Sequence, residues 1–156
     1  MSNTPATYQD ADLLLKLYDL RREPVMREAR VFCVQFMPQS VDEILAIMRT
    51  WGSKEGAYIR QVSGYWEMVA SLVNHGALNE SLVYENCGEL YLLYAKFQPF
   101  LASFRESMNS PEFLKNVETL VEASAAGRAR VERMQGQFKD WLKRRDEAAA
   151  KKSSVS

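Results

Sequence analysis

The stretch YLLYAKFQPFLASF, residues 91–104, decides the fold class of this chain. Its apolar side chains would lie on almost every side of a helix, and a helix of that kind is buried among other helices. Pro99 predicts a kink, because proline removes a main-chain hydrogen bond from the helix interior. We therefore expect a central helix over about residues 80–108 that the other helices surround.

The rest of the chain has the apolar spacing of amphipathic helices. Apolar residues recur at intervals of three and four, strand-like alternation is absent, and no Asn-Gly or Asp-Gly hairpin turn occurs. We predict an all-α fold, a single helical bundle of about six or seven helices over residues 1–150, with a disordered tail at residues 151–156. The predicted helices cover about residues 9–22, 24–37, 41–51, 54–74, 80–108, 111–125 and 128–149.

Short local signatures set the helix boundaries. Ser40 followed by Glu43 is a capping box, which opens the third helix. Ser110 before Pro111 predicts the start of the sixth helix, because proline is favoured in a first helical turn. Gly127 is expected to interrupt the chain between the sixth and seventh helices.

The composition indicates a protein of a reducing compartment. The 156 residues carry no net charge and include two cysteines, Cys33 and Cys87. A polar start without an apolar leader argues against secretion and a disulfide framework. No segment approaches the roughly 18 apolar residues that a membrane span needs. We expect a cytoplasmic protein with no membrane segment.

The stretch SLVNHGALNESLVYENCG, residues 71–88, holds the only histidine, His75, and one of the two cysteines, Cys87. A catalytic thiolate needs a base within hydrogen-bond reach. We place His75 at the end of the fourth helix, before Gly76 in a left-handed conformation, and Cys87 about two turns inside the next helix. The two side chains are then too far apart to react together, and we interpret both as structural.

The residue types exclude the common metal and phosphate sites. A structural zinc site needs four Cys or His ligands, and the chain has three. Glu-x-x-His pairs, which hold two-metal centres in helical bundles, do not occur. Glycine-rich phosphate-binding loops are absent as well. We therefore expect no metal site, no cofactor and no catalytic residue.

Five residues are the candidates for a ligand site between helices. Glu85 and Glu89 lie four residues apart on the predicted central helix, where we favour ion pairs with Arg60 or Arg105 over a functional role. Glu67 shares a polar helix face with Gly64, where a helix crossing is favoured over a small polar pocket. The complete set of candidates is Glu67, Glu85, Glu89, Tyr91 and Tyr94.

The basic residues are concentrated at the C-terminal end. Residues 128–152 carry a net charge of +5, which leaves −5 for the rest of the chain. The last helix has one apolar stripe, while its cations scatter over the remaining circumference, so we expect it to dock on the body or on a second subunit. An arginine cluster at the first helix junction, interleaved with acidic residues, is interpreted as a solvated face. The stripe consists of Val131, Met134, Phe138, Trp141 and Leu142, and the cluster of Arg21, Arg22, Arg27 and Arg30.

Three segments carry a resemblance to a known family. They are LYDLRREPVMREAR at residues 17–30, YWEMVASLVNHGALNESLVYENCGELYLLYAKFQPFL at residues 65–101 and SPEFLKNVETL at residues 110–120. With them the chain resembles a bacterial family of small all-helical proteins whose function has not been assigned. The resemblance spans most of the chain and implies an α-helical domain, and it transfers no active-site residue.

Three hypotheses for function follow. The first is a non-enzymatic cytoplasmic helical module that acts through contacts with another protein or with a second copy of itself. The second is nucleic-acid or anion binding through the basic last helix, which the scattered cations make unfavourable. The third is a small-ligand receptor or an enzyme with a pocket between helices.

Overall fold

The structure is a computed structural model that describes residues 4–153, and it confirms the all-α class over them. The described residues form nine α-helices and one 3₁₀ turn, more segments than the predicted six or seven, and contain no strand. The segments are α1 Tyr8–Leu20, α2 Pro24–Gln35, α3 Val41–Arg49, α4 Lys54–Asn74, α5 Glu80–Asn86, α6 Gly88–Phe97, the 3₁₀ turn Gln98–Phe100, α7 Leu101–Met108, α8 Lys115–Ala123 and α9 Ala125–Ser153.

The core lies around α4 and α6. Trp66 of α4 is fully buried, and Tyr91 and Tyr94 of α6 are no more than 2% exposed. α4 packs between α2 and α8, while α6 packs on α9. The most apolar part of the predicted central helix therefore lies in the core, as its sequence indicates.

The predicted central helix is divided at Cys87, which has φ −113° and ψ 49°. Arg130 of α9 donates a hydrogen bond of 2.5 Å to the carbonyl oxygen of Tyr84. In an uninterrupted helix that oxygen would accept from the N–H of Gly88. The guanidinium also lies over the rings of Tyr84 and Tyr91, with Cζ 5.1 and 4.8 Å from their centroids. A Cβ on Gly88 would lie 2.8 Å from Arg130 Nη2, so glycine leaves the space that the guanidinium fills.

The α-helix is interrupted at Pro99, the residue where the sequence predicts a kink. The chain leaves α6 through the 3₁₀ turn Gln98–Phe100 and continues directly into α7. Pro99 lies in the first turn of the 3₁₀ segment, where the main-chain N–H of a residue makes no hydrogen bond within the segment.

The helix predicted over residues 111–125 begins later, at Lys115 of α8, and turns precede it. Leu114 has a φ of 54°, a left-handed conformation that a right-handed helix does not accommodate. Arg105 of α7 holds the turn, since its Nε donates a 2.9 Å hydrogen bond to the carbonyl oxygen of Phe113. The signature of serine followed by proline therefore marks a turn here and not a helix start.

Gly127 lies inside α9, so the break predicted at this residue is wrong. The helix starts after Ser124, whose hydroxyl accepts a 3.2 Å hydrogen bond from the N–H of Gly127. A Cβ at residue 127 would lie 2.9 Å from the carbonyl oxygen of Val121. Glycine therefore permits the close approach of α9 to the end of α8.

α9 docks on the body as far as Leu142, and residues 143–151 are exposed. Val131 is 5% exposed, and Met134, Phe138 and Leu142 are partly buried. Trp141 was predicted on the docking stripe but is 47% exposed, because it lies at the edge of that stripe. α9 continues to Ser153, and residues 154–156 of the predicted tail lie outside the described residues.

None of the helices in residues 4–153 combines the length and the apolar composition that crossing a bilayer requires.

Candidate functional site

A cavity of about 880 Å³ lies between α3, α4, α7 and the turns that precede α8. Its lining combines large apolar side chains with polar groups, the usual composition of a binding site. The apolar part is formed by Met48, Trp51, Phe104, Met108, Phe113 and Leu114, and the polar part by Arg60, Ser63, Glu67, Asn109, Ser110 and Glu112.

α4 contributes an open, polar wall to this cavity. The helix crossing expected at Gly64 is not found, because a Cβ there would meet no heavy atom within 4 Å, and Gly64 lines the cavity. Arg60, one turn earlier, is exposed, and among the described residues it pairs with no carboxylate. The alternative of a polar pocket beside Glu67 is therefore the arrangement that the structure contains.

Substitution of Gly64 by alanine is expected to raise the free energy of unfolding by about 0.5 to 1 kcal/mol, because alanine is the better helix former and the added methyl has free space. Gly127→Ala is the matched control and should lower it, since the added Cβ would meet the carbonyl oxygen of Val121. Urea unfolding of both variants measures the difference. A loss of stability in Gly64→Ala would show that an element packs against residue 64.

Glu67 fixes the start of α8 instead of standing free in the cavity. Its Oε1 accepts hydrogen bonds from the main-chain N–H of Asn116 at 2.6 Å and from Nδ2 of the same residue at 2.9 Å. Its Oε2 accepts from the N–H of Val117 at 3.1 Å. A carboxylate at a helix N-terminus satisfies otherwise unpaired donors and interacts favourably with the helix dipole. Glu67 therefore shapes the wall, and its oxygens are already engaged.

The rim of the cavity holds two unusual features that sequence reasoning did not assign to a site. Trp51 is fully exposed and precedes Gly52, whose φ is 75°. Asn109 and Leu114, on the opposite side, have positive φ values of 48° and 54°. Non-glycine residues with positive φ are concentrated at functional sites. In the sequence, only the position of Trp51 next to a helix-ending glycine indicated an exposed aromatic residue. The same pattern is equally typical of an ordinary turn.

Glu85 and Glu89 do not form a pair, since the break at Cys87 places them on different helices. Glu85 is exposed, whereas Glu89 accepts hydrogen bonds of 2.7 to 2.9 Å from Arg30 and one of 3.3 Å from Arg21. The expected ion pairing with arginine is therefore confirmed for Glu89, but the named partners Arg60 and Arg105 are wrong, and Arg105 instead pairs with Glu118 at 3.1 Å. Glu89 thus ties the junction of α1 and α2 to α6.

The arginine cluster at the first helix junction is only partly solvated. The side chains of Arg21 and Arg30 are 11% and 27% exposed in their pairs with Glu89. Arg21 Cζ also lies 4.9 Å from the ring centroid of Trp66. These two arginines are part of the packing between helices, whereas Arg22 and Arg27 are exposed as expected.

Tyr91 and Tyr94 are core residues that lie away from the cavity. Burial raises the pKa of Tyr91 to about 12, and its ring packs edge-on against Tyr84 with centroids 5.6 Å apart. The hydroxyl of Tyr94 donates a 3.0 Å hydrogen bond to Glu122, and burial raises its pKa. Of the five candidates, only Glu67 lines the cavity, so the predicted set does not converge on one site.

His75 and Cys87 occupy structural positions. His75 is the exposed residue that ends α4, with Nδ1 2.8 Å from the carbonyl oxygen of Ser71, and Gly76 follows with φ 72°. Cys87 is 5% exposed and separates α5 from α6, so its placement inside a helix is wrong. Burial raises the pKa of its thiol.

Both thiols are expected to react with Ellman's reagent at pH 8 at least about 100-fold more slowly in the folded protein than in 6 M guanidinium. Burial raises the pKa of Cys33 to about 12, and it raises that of Cys87, so little thiolate is present at pH 8. Stopped-flow absorbance measures the rates. Fast labelling of Cys87 in a fully folded sample would instead indicate an accessible, activated thiol.

Across the part of the chain that the structure describes, no group of three or more His, Cys, Asp or Glu side chains is placed to hold a metal ion.

Comparison with known proteins gives one finding. The family described as Domain of unknown function (DUF4760) matches residues 6–124, which include α1 to α8 and end one residue before α9. No curated protein and no solved structure matches the chain.

Proposed function

The chain belongs to the family described as Domain of unknown function (DUF4760), and we propose that it is a non-enzymatic helical module that binds another protein at the cavity between α3, α4 and α7. The observation that carries this proposal is Trp51, a fully exposed tryptophan at the rim of that cavity. Tryptophan is enriched among the residues that contribute most to protein–protein binding.

The cavity lining suits an apolar side chain of a partner. Phe104 and Phe113 lie with ring centroids 4.6 Å apart and form an aromatic floor. Met48 and Met108 line the same space, and methionine adapts its shape to different partners. Arg60, without a carboxylate of its own among the described residues, favours an acidic residue next to the inserted side chain.

The polar groups support binding more than catalysis. A general base needs a free acceptor within reach of its substrate, and both oxygens of Glu67 accept main-chain hydrogen bonds. Ser63 donates its hydroxyl hydrogen to the carbonyl oxygen of Arg60 at 3.2 Å and shares no hydrogen bond with Glu67. Among the described residues of the cavity lining, this serine and this carboxylate are therefore not paired as nucleophile and base.

We expect no binding to duplex DNA tighter than about 10 μM at physiological salt, the range of ordinary non-specific attraction. Two cations of the basic segment are engaged with the body: Arg130 binds the carbonyl oxygen of Tyr84, and Arg128 binds that of Glu122. Fluorescence anisotropy with a labelled duplex measures the affinity. Sub-micromolar, salt-sensitive binding would place the nucleic-acid hypothesis first.

The proposal is tested by affinity capture from cells with the full chain and with Trp51→Ala, followed by titration of the purified candidate partner. Trp51→Ala should weaken the purified complex at least about 30-fold, a loss of about 2 kcal/mol typical of a central binding residue. Arg60→Glu should weaken it as well, because it reverses the charge that faces the partner.

Trp141→Ala is the matched control, since Trp141 is 47% exposed but lies on α9 away from the cavity. This variant should retain the affinity of the original chain. Light scattering of the unmodified chain shows whether the partner is a second copy, in which case Trp51→Ala yields monomers. A complex that survives Trp51→Ala and Arg60→Glu unchanged would overturn the proposal.

A further inference from the structure

A second cavity, of about 430 Å³, lies between α6, the 3₁₀ turn Gln98–Phe100 and α9. It is separate from the cavity at Trp51, with which it shares no lining residue. Most of its wall is apolar and comes from segments distant in sequence. The apolar residues are Met37, Pro38, Pro99, Phe100, Phe138 and Leu142.

Lys96 lines this cavity and is 5% exposed, which is rare for a lysine. Its Nζ donates hydrogen bonds to the carbonyl oxygens of Cys33 at 2.8 Å and Val34 at 2.5 Å, in the last turn of α2. The ring of Phe138 lies 5.9 Å from the same nitrogen. Burial lowers the pKa of Lys96 to about 8.

The charge of Lys96 has no counter-ion within the described residues, since no carboxylate lies at ion-pair distance from its ammonium group. Carbonyl dipoles satisfy two of its three N–H donors. A buried charge without an opposite charge is costly, and an anion in the cavity would offset that cost. Lys139 of α9 lines the same cavity from its exposed side and is likewise unpaired among the described residues.

We propose that this cavity binds an aliphatic carboxylate, whose head group pairs with Lys96 and Lys139 and whose chain lies against Phe100, Phe138 and Leu142. The combination of a mainly apolar wall with two ammonium groups that have no carboxylate partner among the described residues is complementary to one negative charge on an apolar tail. A neutral apolar ligand leaves Lys96 without a counter-ion, and a small inorganic anion leaves the apolar wall uncovered. One wall is α9, so the site includes residues beyond the matched family region of residues 6–124.

Isothermal titration with sodium decanoate below its micelle concentration, and with decan-1-ol as the uncharged analogue, tests this proposal on the full chain. Decanoate should bind at one site per chain and at least about 10-fold more tightly than decanol, because an ion pair at a buried site discriminates between the two head groups. Lys96→Met should reduce this preference to about threefold or less, because Lys139 is then the only one of the two lysines that faces the head group. Failure of decanoate to show saturable binding overturns the proposal.

Lys139→Glu provides a test that does not disturb the core, because Lys139 is exposed. It should weaken decanoate binding at least about threefold and leave decanol unchanged. Lys143→Glu, one turn further along α9 and outside the cavity lining, changes the net charge equally and should leave both affinities unchanged. Equal effects of the two glutamate variants would show that Lys139 does not contact the head group. An undiminished, about 10-fold preference for decanoate in Lys96→Met would mean that Lys96 only caps α2. Either result overturns the proposal.

Discussion

Replacing Trp66 by alanine is expected to lower the free energy of unfolding by about 3 to 5 kcal/mol, the loss typical of a buried tryptophan. Trp66 is fully buried, its ring packs edge-on against Tyr65 with centroids 4.8 Å apart, and it supports the guanidinium of Arg21. Truncation removes apolar contacts and leaves a cavity between α4 and its neighbours. Guanidinium unfolding followed by far-ultraviolet circular dichroism measures the change.

Two further variants serve as controls for the loss of stability in Trp66→Ala. Trp66→Phe should cost less than Trp66→Ala, because it keeps an aromatic ring and removes an indole N–H that has no hydrogen-bond partner. Trp51→Ala, at a fully exposed residue, should change the stability by no more than about 0.5 kcal/mol. A loss below about 1 kcal/mol in Trp66→Ala would contradict the placement of Trp66 in the core.

Deletion of residues 128–156 is expected to lower the stability by at least about 3 kcal/mol, since burial of one large apolar side chain contributes about 1.5 to 3 kcal/mol. The deletion removes the buried Val131 and the partly buried Met134 and Phe138. It also removes Arg130, which satisfies the carbonyl oxygen of Tyr84 at the break between α5 and α6. Thermal unfolding of the truncated and full chains measures the effect.

A shorter truncation is the control. Deletion of residues 147–156 removes only the end of α9, where every residue whose side chain is described is exposed, and should leave the melting temperature unchanged. Equal melting of the chain without residues 128–156 and the full chain would contradict the docking of α9. It would also mean that the matched family region, residues 6–124, is stable without this helix.

Helix boundaries were predicted correctly where the capping residue and the main-chain group that it binds lie within the same turn. Ser40 caps α3 as the sequence predicts, with its hydroxyl 3.3 Å from the N of Glu43, although the Glu43 carboxylate accepts from the N–H of Gln39 and not from that of Ser40. Gly76 takes the expected left-handed conformation after α4. Both conformations depend on residues at most four positions apart, so they can be read from sequence.

The break at Cys87 could not be predicted, because its cause is a side chain that lies 46 residues after Tyr84 in the chain. Arg130 takes over the carbonyl oxygen of Tyr84, and only the adjacent Gly88 gives a local indication. The same holds for the late start of α8, where Glu67 of α4 binds the first-turn N–H groups. Charged side chains from distant segments replace helical hydrogen bonds at both places.

The candidate site was predicted only in part for the same reason. The sequence offered Glu67 and Gly64 as residues of a polar pocket, since both lie on one face of an amphipathic helix. Arg60 lies on the same face of α4, one turn before Gly64, whereas Trp51 joined these residues only through the packing of α3 against α4. Tyr91 and Tyr94 were selected for their chemistry, and burial in the core removes them from the cavity.

Photo-cross-linking at residue 51 tests most directly whether the cavity is the protein-binding face. The photoreactive residue p-benzoylphenylalanine replaces Trp51 in one sample and Trp141 in the other, and both chains are irradiated in cells. We predict a discrete cross-linked protein from residue 51, absent from residue 141 and lost when Arg60→Glu is added. Cross-linking from residue 141 alone, or none from residue 51 in a folded and abundant chain, would contradict the proposed binding face.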